Sequence, residues 1–271
     1  TEDALAVKPY TPASAARASV PTSSVSLRCL LIWRAAPRRT TPRAATQTSE
    51  TVIMSDIYTD SHRELQDRFD TRRLADRLEE MIIAETIGDQ DRAFIEAREF
   101  FFLSTVDPSG QPTVSYKGGP PGFVKVIDER TIAFPSLDGN GMFYSMGNLK
   151  AKPEIGILFI DFENPHRVRF HGKATIMDND PLLSEYHEAE FVVRVTLSRM
   201  WINCPRYIPK YKRIESSRYV PKPASETPLA AWKRIDAVQD ALPQRDLGRT
   251  ERAGGVITME EWTEMLHKGE G

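Results

Sequence analysis

The stretch from Phe100 to Ser198 most constrains the fold, because it is built of short runs with the two-residue period of β-strands. Turn-forming residues separate these runs, including the proline and glycine of 107–110 and the pair Asn164-Pro165. The runs follow one another without a regular alternation of strand and helix. The pattern therefore predicts a mainly β (α+β) protein with peripheral helices, and it excludes a Rossmann fold and a TIM barrel.

The individual elements can be bounded from their local patterns. Strands are predicted at 100–106, 112–117, 123–128, 131–136, 155–162, 166–176 and 191–198. Helices are predicted at about 142–152 and about 181–190, and Asp180 is expected to cap the second of these. In the second strand one face carries Val114 and Tyr116, while the other face carries Thr113, Ser115 and Lys117.

Helical patterns lie on both sides of the β region. Ser61 and Glu64 have the spacing of a capping box, and two further helices are expected before the first strand, the last at about 90–98. Their apolar stripes predict a packed arm. The chain is thus expected to divide into an N-terminal extension (1–53), a helical arm (54–98), a barrel (99–215) and a helical or irregular tail (216–271).

The N-terminal extension differs in composition from the rest of the chain. Residues 1–53 carry seven basic and three acidic side chains, a balance of +4, whereas the remainder carries 29 basic and 35 acidic ones, a balance of -6. This segment is rich in Ala, Ser, Thr, Pro and Arg, so it is expected to be disordered. We expect either an Arg-rich transit peptide or an over-extended start before an initiator at Met54, and a basic arm that binds nucleic acid is a further alternative.

Composition excludes several classes of function. The net charge of -2 gives no global basic field for nucleic acid, and no apolar run is long enough for a membrane span. The two cysteines, Cys29 and Cys204, exclude a disulfide framework and an all-cysteine zinc site, and the five histidines show no metal-binding spacing. Cys204 is expected to be a buried, inert thiol. With no convincing export signal, a cytoplasmic location is expected.

Two glycine-rich loops carry the residues with the clearest chemical potential. Residues 115–125 combine glycines with a hydroxyl and two lysines, and residues 136–148 offer further glycine N–H groups and a helix N-terminus. Backbone N–H groups and a nearby ammonium can hold a phosphate. Neither loop matches a known phosphate-binding motif, so each is also compatible with a simple turn.

Five segments together resemble one family. These segments, 101–126, 131–136, 138–148, 155–161 and 169–174, are similar to the pyridoxamine 5'-phosphate oxidase-like, FMN-binding split-barrel superfamily. Residues 203–208 resemble its flavin-nucleotide-binding subgroup. The resemblance implies a six-stranded antiparallel split β-barrel, a homodimer with FMN at the interface, and an FMN-dependent oxidoreductase acting on a small molecule.

The resemblance also implies a set of cofactor-binding residues. Phe123, Val124 and Lys125 are expected along the flavin, and Ser136 and Arg167 match further contact positions. The remaining candidates from the glycine-rich segments are Lys117, Asn140 and Ser145. The sequence identifies no catalytic side chain.

Two departures from the true oxidases limit the assignment. The basic pair that grips the FMN phosphate is replaced by Tyr144 and Ser145, so Lys117, Lys125 or Arg167 would have to substitute for it. The C-terminal Arg-x-His-x-Arg substrate signature is also missing, which argues against oxidation of vitamin B6. The alternatives are a non-catalytic flavin-binding module and a haem-binding relative that uses His166, His171 or His187 as axial ligand.

Overall fold

Antiparallel strands form one sheet in the computed structural model, which describes residues 57–270. Within this range there are eight strands, six of them with seven or more residues. They pair in the order β3-β2-β6-β7-β8-β5-β4, with β1 added on β8. The strands are β1 (Ile83–Ala84), β2 (Phe100–Val106), β3 (Pro112–Gly118), β4 (Lys125–Val126), β5 (Thr131–Leu137), β6 (Glu154–Asp161), β7 (His166–Met177) and β8 (Ala189–Ile202).

The sheet curls around an aromatic core. Phe101 on β2 lies 5.0 Å from Phe134 on β5, measured between ring centroids, although β6, β7 and β8 separate these strands in the sheet. Phe159 packs against Phe101 at 5.6 Å and Phe170 against Phe159 at 6.5 Å between ring centroids, and all four rings are fully buried. The expected fold class, a mainly β split barrel with peripheral helices, is therefore confirmed, although the described residues form eight strands rather than the expected six, because the two-residue strands β1 and β4 join the sheet.

The helices lie around this barrel. The α-helices are α1 (Asp60–Arg68), α2 (Arg72–Ile82), α3 (Asp89–Glu96), α4 (Tyr144–Ala151), α5 (Arg249–Arg252) and α6 (Met259–His267). Short 3₁₀ helices occupy Pro181–Glu185, Ala231–Arg234, Asp236–Ala241 and Gln244–Asp246. None of the helices within 57–270 has the length and apolarity that crossing a bilayer requires.

The N-terminal helices differ from the prediction in two respects. The cap of α1 is Thr59, whose backbone N–H donates to His62 Nδ1 at 3.1 Å, so the capping box lies two residues before the predicted one. Neither α1 nor α2 has a buried residue, and Leu65 and Phe69 are more than half exposed. The expected packed arm is thus wrong for these two helices, whereas α3 buries Ile95. The expected disorder of residues 1–53 lies outside the described residues.

Strand β8 is longer than its pattern predicts. It runs to Ile202, and the helix predicted at 181–190 is only the 3₁₀ helix Pro181–Glu185. The cause is pairing on both edges: β8 bonds to β5 and β7, and Trp201 also pairs with Ile83 on β1. By contrast, the predicted strand 123–128 is reduced to Lys125–Val126.

Replacing Gly172 by Ala is expected to destabilise the barrel by about 1–3 kcal/mol through overpacking. Gly172 lies at a register shift between β7 and β8, where a Cβ atom would meet Thr196 O at 2.4 Å. Gly156 on the neighbouring strand is a matched control, because its Cβ would lie an ordinary 3.5 Å from Ser104 Cβ. Urea unfolding of both variants tests this. Equal midpoints of unfolding for Gly172→Ala and Gly156→Ala would show that the register shift at Gly172 accommodates a methyl group.

Asp180 fixes the start of the segment between β7 and β8, as the sequence predicts. Its Oδ1 accepts the N–H of Leu182 at 2.9 Å and Arg194 Nη2 at 2.9 Å, and its side chain is fully buried. The hydrogen bonds from Arg194 hold the pKa of this carboxyl below its usual value.

Replacing Asp180 by Asn is therefore expected to lower the free energy of unfolding by about 1.5–3 kcal/mol at pH 7. A carboxyl with a depressed pKa stabilises the fold above its unfolded pKa and loses that contribution as pH falls through the folded pKa. The difference between wild type and variant should therefore narrow below about pH 4. Urea titrations at pH 7 and pH 3 measure it; a difference that stays constant with pH would contradict the role of the charge.

Candidate functional site

A groove of about 1140 Å³ lies along the edge strand β3. Its other walls are the loop 137–143 that leads into α4, the end of β6 with 162–164, and parts of the segment 211–220. Both glycine-rich loops singled out in the sequence contribute residues to it. The fold therefore brings together two segments that are separated by a complete hairpin.

The polar face of β3 packs against α4. Ser115 Oγ lies 3.1 Å from Ser145 Oγ, and Thr113 Oγ1 lies 3.2 Å from Thr105 Oγ1. Asn148 of α4 donates to the same Thr105 hydroxyl at 3.1 Å. The apolar face of the strand is the exposed one, with Val114 71% and Tyr116 61% accessible. The two faces are divided as the sequence predicts, but the hydroxyl groups are the ones directed inwards.

Lys117 is a charged groove residue that is partly removed from water. It is partly buried, and its ammonium has no hydrogen bond or ion pair with any residue in 57–270. Burial lowers the pKa of this ammonium, because removal from water disfavours its charge. A bound anion would offset that cost. Partly buried cations with perturbed pKa values in a cleft are typical of functional sites.

The N-terminus of α4 contributes hydrogen-bond donors to the same groove. Phe143 precedes the helix in the left-handed conformation, with φ 48°, and the first helical bond runs from Gly147 N–H to Phe143 O. The N–H groups of the first turn, at Tyr144, Ser145 and Met146, therefore have no carbonyl partner within the helix. Together with the helix dipole, they favour an anion at this end.

Aromatic rings also line the groove, on the face of β3 that points away from Lys117. Phe100 stacks on Tyr116 at 5.5 Å and on Phe162 at 6.0 Å between ring centroids, with interplanar angles of 16° and 14°. Tyr211 continues the row at 5.2 Å from Phe162. The groove thus combines a set of anion-binding donors with flat apolar surfaces, an arrangement that suits an anionic ligand with a planar ring.

Ion pairs from the C-terminal tail hold the loop at the rim of the groove. Lys233 Nζ lies 2.5 Å from Asp138 Oδ2 and 2.7 Å from Asp246 Oδ2, and its side chain is only 3% exposed. Arg245 bridges Asp138 and Glu190, each at 2.6 Å. Sequence reasoning missed these residues, because charged side chains in helical pieces ordinarily face solvent and both contacts with Asp138 span about a hundred positions.

The structure gathers only part of the predicted cofactor set. The predicted residues that line the groove are Lys117, Phe123, Ser136, Asn140 and Ser145. Phe123 is almost completely buried and stacks on Phe101 at 5.7 Å, so most of its surface belongs to the core.

Three predicted residues lie away from the groove lining. Val124 is fully buried, Lys125 pairs with Glu185, and Arg167 Nη2 donates to Cys204 O at 3.0 Å. Their contact with a cofactor stays a prediction. The expectation of a buried thiol at Cys204 is wrong: this cysteine is free and exposed, because the chain has left β8 at Ile202.

Comparison with known proteins supports this architecture. The family model for pyridoxamine 5'-phosphate oxidase matches residues 87–214. No curated protein sequence matches the chain.

Several solved structures resemble the barrel at low identity. HupZ of Group A Streptococcus is 19% identical with a TM-score of 0.36, and the match covers 46% of this chain and 99% of HupZ. An FMN-binding protein of Syntrophomonas wolfei is 12% identical with a TM-score of 0.34, and the match covers 52% of this chain and 97% of that protein. HutZ, the haem storage protein of Vibrio cholerae, is 18% identical with a TM-score of 0.31, and the match covers 43% of this chain and 94% of HutZ. Likenesses of this strength add nothing to what the sheet topology shows. Residues 87–214 thus match the pyridoxamine 5'-phosphate oxidase family model, and the sheet that they form is the split barrel which the sequence resemblance implies.

Proposed function

We propose that the groove binds FMN and that the protein is an FMN-dependent oxidoreductase acting on a small molecule. The observation that carries this proposal is the partly buried ammonium of Lys117, which has no partner among residues 57–270 and lies in the groove that also holds the α4 N-terminus. A phosphate group would supply the negative partner that this ammonium does not have among the described residues.

The residues present fit FMN. Lys117, the Ser115 and Ser145 hydroxyls and the first-turn N–H groups of α4 would hold its phosphate. Of the three basic residues that could replace the missing Arg-Lys pair, only Lys117 lines the groove. The stacked rings of Phe100 and Phe162 offer apolar surface for a planar ring system. When bound, FMN supplies the electron transfer chemistry, so the protein needs mainly to position it and its substrate.

The proposed assembly is a cytoplasmic homodimer with the flavin at the subunit interface. The resemblance in sequence implies it, and the exposed Val114 and Tyr116 beside the groove support it, because such side chains are common at subunit interfaces. Light scattering of the purified protein measures its mass in solution; a monomer that retains FMN would contradict the interfacial site.

An absorption spectrum of protein expressed from Met54 onwards tests the cofactor. We expect the bands of oxidised flavin, and FMN as the chromophore released on denaturation and identified by mass. A colourless protein that also fails to take up added FMN would overturn the proposal. A Soret band would instead indicate the haem-binding alternative.

A second experiment separates an enzyme from a binding module. Anaerobic mixing of the flavin-loaded protein with reduced nicotinamide cofactors and then with candidate oxidants should reduce and reoxidise the flavin repeatedly. Stable flavin binding without any turnover would leave the binding proposal standing and contradict the oxidoreductase.

A further inference from the structure

A second cleft lies in the C-terminal tail, outside the region matched by the family model. It has a volume of about 360 Å³ and shares no lining residue with the groove. The charged residues that line it are Arg218, Arg234, Arg249, Arg252 and a single acid, Glu226. Four cations thus face one carboxylate, in a chain whose net charge is -2.

Arg249 has a structural role in this cleft. Its Nε pairs with Glu226 at 3.0 Å, its Nη1 with Asp246 at 3.1 Å, and its Nη2 donates to Thr227 O at 2.7 Å. All three of its nitrogens therefore have partners. Asp246 also pairs with Lys233, and Glu226 also contacts Arg252, but neither carboxylate pairs with Arg218 or Arg234.

The other three arginines keep hydrogen-bond donors for a ligand. Arg234 donates to the carbonyls of Gly255 and Gly254, at 2.8 and 3.1 Å, and Arg218 donates to Tyr219 Oη and Glu270 O. Neither forms an ion pair with a carboxylate among the described residues. Arg252, which is 66% exposed, has one long contact with Glu226, at 3.5 Å.

We propose that this cleft binds the phosphate group of a small phosphorylated molecule. Guanidinium groups match the oxygens of a phosphate bidentately, and here three of them come from separate segments of the tail. The volume lies within the usual range for sites of small ligands. Glu226 occupies the position of a competing anion, so it is expected to weaken phosphate binding rather than to assist it.

Calorimetric titration of the full chain with inorganic phosphate and with pyrophosphate tests the proposal. Saturable binding is expected, with pyrophosphate the tighter ligand. Arg252→Ala and Arg218→Ala should each lower the affinity about tenfold or more, and Glu226→Gln should raise it. Arg73→Ala, on the exposed face of α2, is the matched control and should leave the affinity unchanged.

The groove is a competing anion site, so the titration is repeated on Lys117→Ala. Binding that persists in this variant, and is lost when Arg252→Ala is added, would support the cleft independently of the proposed flavin site. Absence of saturable binding in the wild type, or binding that Arg252→Ala and Arg218→Ala leave unchanged while their melting temperatures match the wild type, would overturn it.

Discussion

Replacing Lys233 by Met is expected to lower the free energy of unfolding by about 3 kcal/mol. Removing one partner of a buried ion pair typically costs about 3–5 kcal/mol, because it leaves an uncompensated charge. Lys233 is 3% exposed and lies between Asp138 and Asp246, of which Asp246 is 1% exposed. The lower end of the range applies because Arg249 and Arg245 remain as partners of these carboxylates.

Differential scanning calorimetry measures this effect. For a chain of this size, about 3 kcal/mol corresponds to a decrease of roughly 6–12 °C in melting temperature. Lys222→Met is the matched control, since Lys222 is exposed in the same tail and its loss should change stability by less than about 0.5 kcal/mol. Equal melting temperatures for the two variants would show that the tail does not depend on the buried ammonium.

Replacing Lys117 by Ala is expected to weaken FMN binding by about 10- to 100-fold. A hydrogen bond to a charged group contributes about 1.5–3 kcal/mol. The arginines that also line the groove, Arg98, Arg213 and Arg245, already pair with carboxylates. Lys117→Arg keeps the charge and should retain part of the affinity. Lys173→Ala removes a charge from an exposed position on β7 and serves as the control.

Flavin fluorescence titration measures these affinities. Since burial lowers the pKa of Lys117, the free protein loses this charge at a lower pH than an ordinary lysine would. Affinity of the wild type should therefore fall as pH rises through that lowered pKa, and the Ala variant should lack this fall. Equal affinity of wild type and Lys117→Ala across the pH range would contradict the assignment of the phosphate site.

Local patterns predict the parts of the fold that local interactions determine. The hairpin β2-β3 has the predicted bounds to within one residue, because the turn at 107–110 specifies its register. The bounds of β8 could not be predicted, since its last residues, such as Trp201, are held by pairing with Ile83 more than a hundred positions earlier. The position of the α1 cap was missed because His62 acts in it, a residue type outside the usual pattern.

The candidate site shows the same division. The glycine-rich loops carry local signals, and the family resemblance of these segments made Lys117, Asn140 and Ser145 candidates, all of which line the groove. The contacts of Lys233 and Arg245 with Asp138 join the tail to the groove over long separations, which a single sequence does not reveal. The exposure of Cys204 depends on where β8 ends, and that end is itself a tertiary effect.

The position of β8 in the sheet has a consequence for the order of folding. Strands β4 and β5 join the rest of the sheet only through β8, which pairs Thr131 with Thr196 and Leu137 with Ala189. During synthesis, the hairpin β2-β3 and the pair β6-β7 can form from neighbouring segments, but β5 has no partner beyond β4 until β8 has left the ribosome. The apolar residues of β5 stay exposed to solvent during that interval. We therefore expect the growing chain to be prone to misassociation until β8, which ends at Ile202, has emerged.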